Sequence, residues 1–298
     1  MKLVFIGFGE AAFNFSMELR SVSKLEIGAF DSSAGAGDAG VAIRERAKKA
    51  NVTLLDSLDE VCQKARFIVC LTNAGSALTI AEKIIPRLHE GQIYTDMNSA
   101  APAIKKQIDL IPRRPGVLFC DAAVMGTVPG NALSVPILLA GKGAQSFRNA
   151  FISEGMNLTD IEAEAGAASA IKMLKSIVMK GIPQLFLEAF IAAEQYGSLD
   201  TLVSSLSDSL DGKNVEQLAR TFTARTLIHA KRRCAEMTDV ISTLDALSVD
   251  ASMSTATRNR LETLSQTDWA SVLGPNGADM DYRSAITLLS NIARNNHE

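Results

Sequence analysis

Lys2-Leu3-Val4-Phe5-Ile6-Gly7-Phe8-Gly9-Glu10-Ala11-Ala12 opens the chain and decides how the rest is read. Leu3 to Ile6 form a short apolar run of strand-favouring residues, ended by glycine. Gly7, Gly9 and Ala12 then fill the three small-residue positions of a G-x-G-x-x-G/A turn. The first glycine permits the tight strand-to-helix bend, and the second lets a pyrophosphate approach the backbone. The third small residue lets the helix pack closely on the strand. The helix that follows presents free N–H groups and the positive end of its dipole to phosphate. Gly7, Phe8, Gly9, Glu10, Ala11 and Ala12 are therefore expected to bind a dinucleotide. The Glu10 carboxylate is expected to stabilise the helix terminus while pointing to water. Lys2 before an apolar run has the outline of a secretion signal, but Glu10 interrupts the run and no clean cleavage region follows, so none is expected.

The 298 residues leave room for about two domains. A hydrophobic content of 47% with 21% charged residues suits a soluble protein with a substantial core. A net charge of -3 gives no basic footprint for nucleic acid, and no nucleic-acid partner is expected. No uninterrupted apolar stretch reaches the ~20 residues of a membrane helix, so no membrane association is expected. Cys62, Cys70, Cys120 and Cys234 form no C-x-x-C pair and read as reduced thiols of a cytoplasmic protein. His89, His229 and His297 lie far apart, and no metal is expected.

Strand signals occupy residues 25–30, 52–55, 67–71, 93–96, 117–124 and 135–140, with helical patterns at 40–50, 76–88 and 100–110. The continuous apolar run Phe67-Ile68-Val69-Cys70-Leu71 indicates a sheet covered on both faces. Alternation of strand and helix predicts an α/β fold: a doubly wound parallel sheet of the Rossmann type over residues 1–160. After about Asn157 the strand signal stops. Residues 163–196 read as one long helix, kinked at Gly181-Ile182-Pro183, followed by helices at 199–210, 215–247, 254–263 and 282–294. Residues 161–298 are thus expected to form an all-α domain, with nicotinamide and substrate in the cleft between the two domains. The very apolar stretch 177–193 is expected to bury one face against a second subunit, as a homodimer.

Asp31 closes the second strand, where a carboxylate can bind both ribose hydroxyls of NAD and would repel the 2′-phosphate of NADP. Ser32 and Ser33 follow it, and could equally hold a phosphate by hydrogen bonds. NAD or NADP is the expected cofactor, with Asp31 favouring NAD. Leu71-Thr72-Asn73 and Asp96-Met97-Asn98-Ser99 end the strands at 67–71 and 93–96. Polar groups at strand carboxyl ends are placed for the nicotinamide half, although Asn73 and Ser99 could as well cap the next helices. Lys172 lies near the beginning of the long apolar helix, with Lys175 and Ser176 on the same face. A lysine stem among Ala, Ile and Met can be partly desolvated, which brings its amine toward a useful acid/base range.

Four motifs occur in the order found in β-hydroxyacid dehydrogenases. They are the turn at 7–12, Asp96-Met97-Asn98-Ser99, Asp121-Ala122-Ala123-Val124-Met125-Gly126, and Gly166 through Lys172. Residues 1 to about 180 resemble that family, which includes 3-hydroxyisobutyrate and 6-phosphogluconate dehydrogenases. The resemblance implies an NAD(P)-dependent oxidoreductase that moves hydride between nicotinamide and the CH–OH group of a small or medium hydroxy acid. Lys172 would be its general acid/base. The later helices resemble the all-helical C-terminal domain of a 6-phosphogluconate-dehydrogenase-like branch. There His229 with Arg232 or Arg233 could bind a substrate carboxylate or simply form a solvated basic face. Two departures stand out. Met125, followed by Gly126 and Thr127, replaces the family's usual substrate-loop serine, and Lys175 and Ser176 replace its pair of asparagines. Redox class carries over; substrate identity does not. The alternatives are a reductase of imines or bulky ketones, with Met125 signalling an apolar pocket, and a non-catalytic cofactor-sensing protein.

Overall fold

The computed structural model describes residues 2–35 and 37–295, so His297 lies outside the described residues. The first half runs β1 (Leu3–Ile6), α1 (Glu10–Val22), β2 (Ile27–Phe30), α2 (Gly37–Lys49), β3 (Thr53–Leu54), α3 (Leu58–Lys64), β4 (Phe67–Cys70) and α4 (Ala77–Ile84). It continues with β5 (Ile93–Asp96), α5 (Pro102–Asp109), β6 (Leu118–Val124), β7 (Ile137–Ala140), α6 (Ala144–Phe151) and β8 (Leu158–Asp160). The eight strands form one sheet in the order β3-β2-β1-β4-β5-β6-β7-β8. Alternate side chains of β1 serve opposite faces, as the period of a strand requires. Leu3 and Phe5 pack with α1, α2 and α6 through Phe15, Ile43 and Phe147, while Val4 and Ile6 pack with α3, α4 and α5 through Val61, Ala81 and Ile108.

The expectation of a wholly parallel sheet is corrected at one junction. β6 and β7 pair antiparallel, with Asp121 opposite Ala140. The segment between them carries only a short 3-10 turn, Ala132–Ser134, and a parallel return needs a longer crossover connection. β8 also falls where no strand was expected. It has three residues, of which only Leu158 is buried, too few to show a period.

The second half is helical: α7 (Ala167–Gln195), α8 (Leu199–Leu210), α9 (Val215–Ile228), α10 (Ala230–Ala246), α11 (Ser252–Ser265), α12 (Trp269–Leu273) and α13 (Tyr282–Asn295). α7 continues through Pro183 as a single helix. The segment expected as one helix at 215–247 is two, meeting at His229. By compactness the chain divides at residues 177 and 178, inside α7, where the sequence-based boundary at 160 had placed all of that helix in the second domain. Within the helical unit Leu227, Trp269, Leu273 and Ala285 form a small core. The buried Glu188 caps α11 there, accepting from the Ser254 N–H at 3.0 Å and the Ser254 hydroxyl at 2.7 Å.

By length and composition alone α7 is long and apolar enough to cross a membrane, although Lys172, Lys175, Lys180, Glu188 and Glu194 interrupt its apolar run. Leu174, Ile177, Val178, Met179 and Leu187 are each more than half exposed.

Candidate active site

The glycine turn divides its labour visibly. Gly7 has φ +87°, and a Cβ there would lie 2.5 Å from Thr72 Cγ2 and 2.6 Å from the Leu71 carbonyl oxygen. Close approach of two strand ends therefore requires glycine at this position. A Cβ on Gly9 would meet nothing within 4 Å. Gly9 caps α1 without a side-chain cap, so the helix terminus opens onto free space, as an anion site needs. Glu10 is exposed in the first turn, and Ala12 is fully buried against the sheet. Phe8 contributes differently from its neighbours. Its side chain is buried in the core, and its N–H donates to Asp31 Oδ2 at 2.8 Å. The Ser33 N–H donates to Asp31 Oδ1 at 2.9 Å, so one carboxylate braces both the turn and the start of the next loop. A cavity of about 330 Å³ opens beside it, lined by Gly7, Phe30, Asp31, Ser32 and Thr72. Ile6, Leu58, Ile80 and Lys83 complete the lining, and nothing in the sequence motifs marks the last three. An open glycine face, an uncapped helix start and a partly apolar cavity with a carboxylate at its rim fit a dinucleotide.

At the next strand ends the polar residues take separate roles. Leu71 donates its N–H to Ile6 across the sheet and packs against the core. Asn73 is a cap: its Oδ1 accepts the Ser76 N–H at 3.0 Å. Asn98 is buried and spends its whole amide on the protein. Its Oδ1 accepts the Thr72 N–H at 2.7 Å, and its Nδ2 donates to Asp96 Oδ2 at 2.8 Å and to Cys70 Sγ at 3.3 Å. Ser99 does not cap α5, whose first helical turn follows Ala101 with no side-chain cap. It is exposed and accepts a hydrogen bond from Lys172 Nζ at 2.6 Å.

Lys172 is half-buried in the second turn of α7. Burial first, and the Lys105 charge second, hold its amine below the ordinary lysine value of 10.5. Lys175 reaches the Met125 carbonyl oxygen at 3.2 Å, so the residues that replace two different family positions touch each other. The Met125 side chain packs against Ala123, Ala140 and Ala168. Gly126 and Thr127 are exposed beyond it. The Ser176 hydroxyl donates to the Lys172 carbonyl oxygen at 3.1 Å and is thus held by its own helix. His229 ends α9, and Arg232 pairs with Glu236 one turn on, both within the helical unit.

Beneath these groups lies a charge cluster that the motifs pass over. Lys105, Asp96 and Asp121 have fully buried side chains, with Lys105 Nζ 2.6 Å from Asp96 Oδ1 and 3.2 Å from Asp121 Oδ1. The signal was present in the sequence. Two carboxylates within buried apolar strands need a cation, and Lys105 sits one turn before Ile108 on the inward face of α5.

Residues 3–151 match the family described as the NAD binding domain of 6-phosphogluconate dehydrogenase, and residues 193–264 match a domain of unknown function, DUF1932. A conserved hypothetical protein from Sinorhizobium meliloti 1021 is 28% identical, with 98% of this chain and 96% of that chain covered and a TM-score of 0.62. Conserved protein MTH1747, of unknown function and described as structurally similar to 3-hydroxyacid dehydrogenases, is 28% identical. There 89% of this chain and 97% of that chain are covered, at a TM-score of 0.60. A reductive aminase from Aspergillus terreus shares the fold at 14% identity, with 97% and 99% covered and a TM-score of 0.70.

Proposed function

This chain belongs to the family of the 6-phosphogluconate dehydrogenase NAD-binding domain, and on that premise we propose that it is an NAD(P)-dependent oxidoreductase acting on the CH–OH group of a small or medium hydroxy acid. The Lys172–Ser99 contact carries the reading: a half-buried amine with lowered proton affinity, hydrogen-bonded to a hydroxyl at a strand carboxyl end. The Gly9 backbone and the first N–H groups of α1 would hold the pyrophosphate, and Asp31 and Ser32 the adenosine ribose, with Asp31 favouring NAD. Thr72 and Ser99 would border the nicotinamide half. The nicotinamide, when bound, supplies or accepts hydride at the carbinol carbon. Lys172, as the neutral amine, takes the substrate hydroxyl proton in oxidation; as the ammonium it returns that proton to the carbonyl oxygen in reduction. Ser99 fixes the direction of the Lys172 Nζ. Met125, Gly126, Thr127 and Lys175 would meet the substrate, in place of the family's serine and asparagines.

The test is turnover of a hydroxy-acid panel with NAD and NADP. Lys172→Ala is expected to lose about 10²- to 10⁴-fold in kcat. A detected turnover left unchanged by Lys172→Ala overturns the reading. The apolar Met125, packed on alanines, favours one second reading, reduction of imines or bulky ketones, so cyclic imines belong in the same panel. Tight cofactor binding with no turnover at all would indicate a sensing protein.

The exposed apolar residues of α7 support a homodimer through that helix, because a surface this apolar is stable in water only when covered. Wild type is expected to sediment as a dimer and Ile177→Glu as a monomer; a monomeric wild type overturns this assembly. The four free cysteines, three of them buried, suit the cytoplasm.

A further inference from the structure

Three charged side chains are fully buried together, Asp96 at the carboxyl end of β5, Asp121 beside it within β6 and Lys105 on α5, and their bonds run in both directions from one ammonium. Lys105 Nζ donates to the Asp96 carbonyl oxygen at 2.7 Å and forms ion pairs with Asp96 Oδ1 and Asp121 Oδ1. The second negative charge is answered by N–H and O–H donors. Asp121 accepts the Gly166 N–H at 2.9 Å, the Ser169 N–H at 3.2 Å and the Ser169 hydroxyl at 2.7 Å. Asp96 accepts the Asn98 N–H at 3.2 Å and the Asn98 amide at 2.8 Å. A buried ionic cluster of this kind is seldom more stable than apolar residues of the same volume. What it supplies here is connection. Asn98 immediately precedes Ser99, and Ser169 lies three residues before Lys172, on the same side of α7.

We propose that Lys105 is the positioning residue of this site: gripped by Asp96 and Asp121, it ties the loop that carries Ser99 to the first turn of the helix that carries Lys172. The proposal rests on Lys172 as the proton-transfer group. Gly166 shows how closely the two helices meet, since a Cβ there would lie 2.9 Å from the Pro102 carbonyl oxygen at the start of α5. The charged group acting on Lys172 is Lys105 from α5, itself paired with Asp96 from β5 and Asp121 from β6, and Lys175 follows three residues on along the same helix. The Lys105 charge, behind burial, disfavours the Lys172 ammonium, so the same residue that sets its place also eases loss of its proton.

Two variants of the full chain test this, Lys105→Met and Ser169→Ala. Acetylation of Lys172 by acetic anhydride is followed across pH by peptide mass spectrometry, with N-acetyl-lysine amide as reference. This measurement needs neither substrate nor cofactor. In wild type Lys172 is expected to label at lower pH than the reference, and in Lys105→Met its midpoint moves up toward it. In Ser169→Ala, kcat is expected to fall about 10- to 100-fold while the dinucleotide KM stays within about threefold, because the helix start shifts without touching the cofactor turn. A folded Lys105→Met with unchanged Lys172 labelling and unchanged kcat overturns the proposal. If Lys105→Met does not fold, Ser169→Ala decides alone, and an unchanged labelling profile and kcat overturn it. Failure of the catalytic reading looks different: turnover survives in Lys172→Ala while the labelling profile still moves in Lys105→Met.

Discussion

The ammonium of Lys172 donates to Ser99 Oγ at 2.6 Å, so a proton-carrying group on α7 is held by a hydroxyl at the carboxyl end of β5. The contact opposes the other influences on that amine. Burial and the Lys105 charge push the proton off, whereas a hydrogen bond accepted from the ammonium holds it on.

The pH dependence follows from that balance. Oxidation of an alcohol needs the neutral amine, so kcat/KM should rise with pH and level off below the ordinary lysine range. Reduction needs the ammonium and should fall as pH rises through the same value. Ser99→Ala removes the acceptor that favours the ammonium, so the acid limb should move to lower pH while kcat drops about tenfold. Parallel kcat/KM profiles for the two proteins check both statements. An acid limb that stays in place in Ser99→Ala counts against the contact.

The buried cluster makes a stability prediction apart from any chemistry. Removing the cation from a buried ion pair leaves its carboxylate partners desolvated and uncompensated, at a cost of about 3–5 kcal/mol. Urea unfolding of Lys105→Ala should show this loss, and adding Asp121→Asn should recover part of it, because one stranded charge is then gone. Equal stability of wild type and Lys105→Ala would mean that the three groups are not held as charges.

Much of this architecture was legible because the glycine turn and the strand run Phe67–Cys70 carry local signals that packing then obeys. Legibility failed where partners are distant. Nothing around residues 125–136 says that the chain returns antiparallel, since the sign of that pairing depends on the missing crossover helix. His229 separates two helices without a glycine or proline to announce it. At the site, Lys172 and Ser99 stood out in their motifs. Phe8 and Asn98 were expected to meet the cofactor, but Phe8 packs its side chain in the core and Asn98 spends its amide on the strand ends. Lys105 was missed because a lysine on a short amphipathic helix normally reads as solvated, and only its two buried carboxylate partners reveal it.

The cysteines divide by burial. Burial raises the Cys70 thiol to about 11, with the Asp96 charge adding to the effect, and raises Cys120 further still. Burial also raises the Cys62 thiol, leaving Cys234 as the one of the four that is not buried. Since the thiolate is the reactive form, a disulfide reagent should modify Cys234 first in the native protein and all four cysteines only after unfolding. Peptide mapping of the first labelled site decides it; early labelling of Cys70 or Cys120 would show that the sheet end opens readily.

The two glycines of the turn should fail in opposite ways. Gly7→Ala forces a side chain into a left-handed φ of +87° and against the Leu71 carbonyl oxygen at 2.6 Å, so it should destabilise the fold by about 1–3 kcal/mol or more. Gly9→Ala meets no protein atom within 4 Å, and its φ of -76° suits alanine, so stability should be kept or rise by up to about 1 kcal/mol. Its methyl group instead occupies the space offered to the pyrophosphate. The expected pattern is therefore a lowered melting temperature for Gly7→Ala, and for Gly9→Ala a native melting temperature with weakened dinucleotide binding. Calorimetric titration with NAD and NADP, alongside thermal unfolding, separates the two. Undiminished dinucleotide affinity in Gly9→Ala would place the cofactor elsewhere.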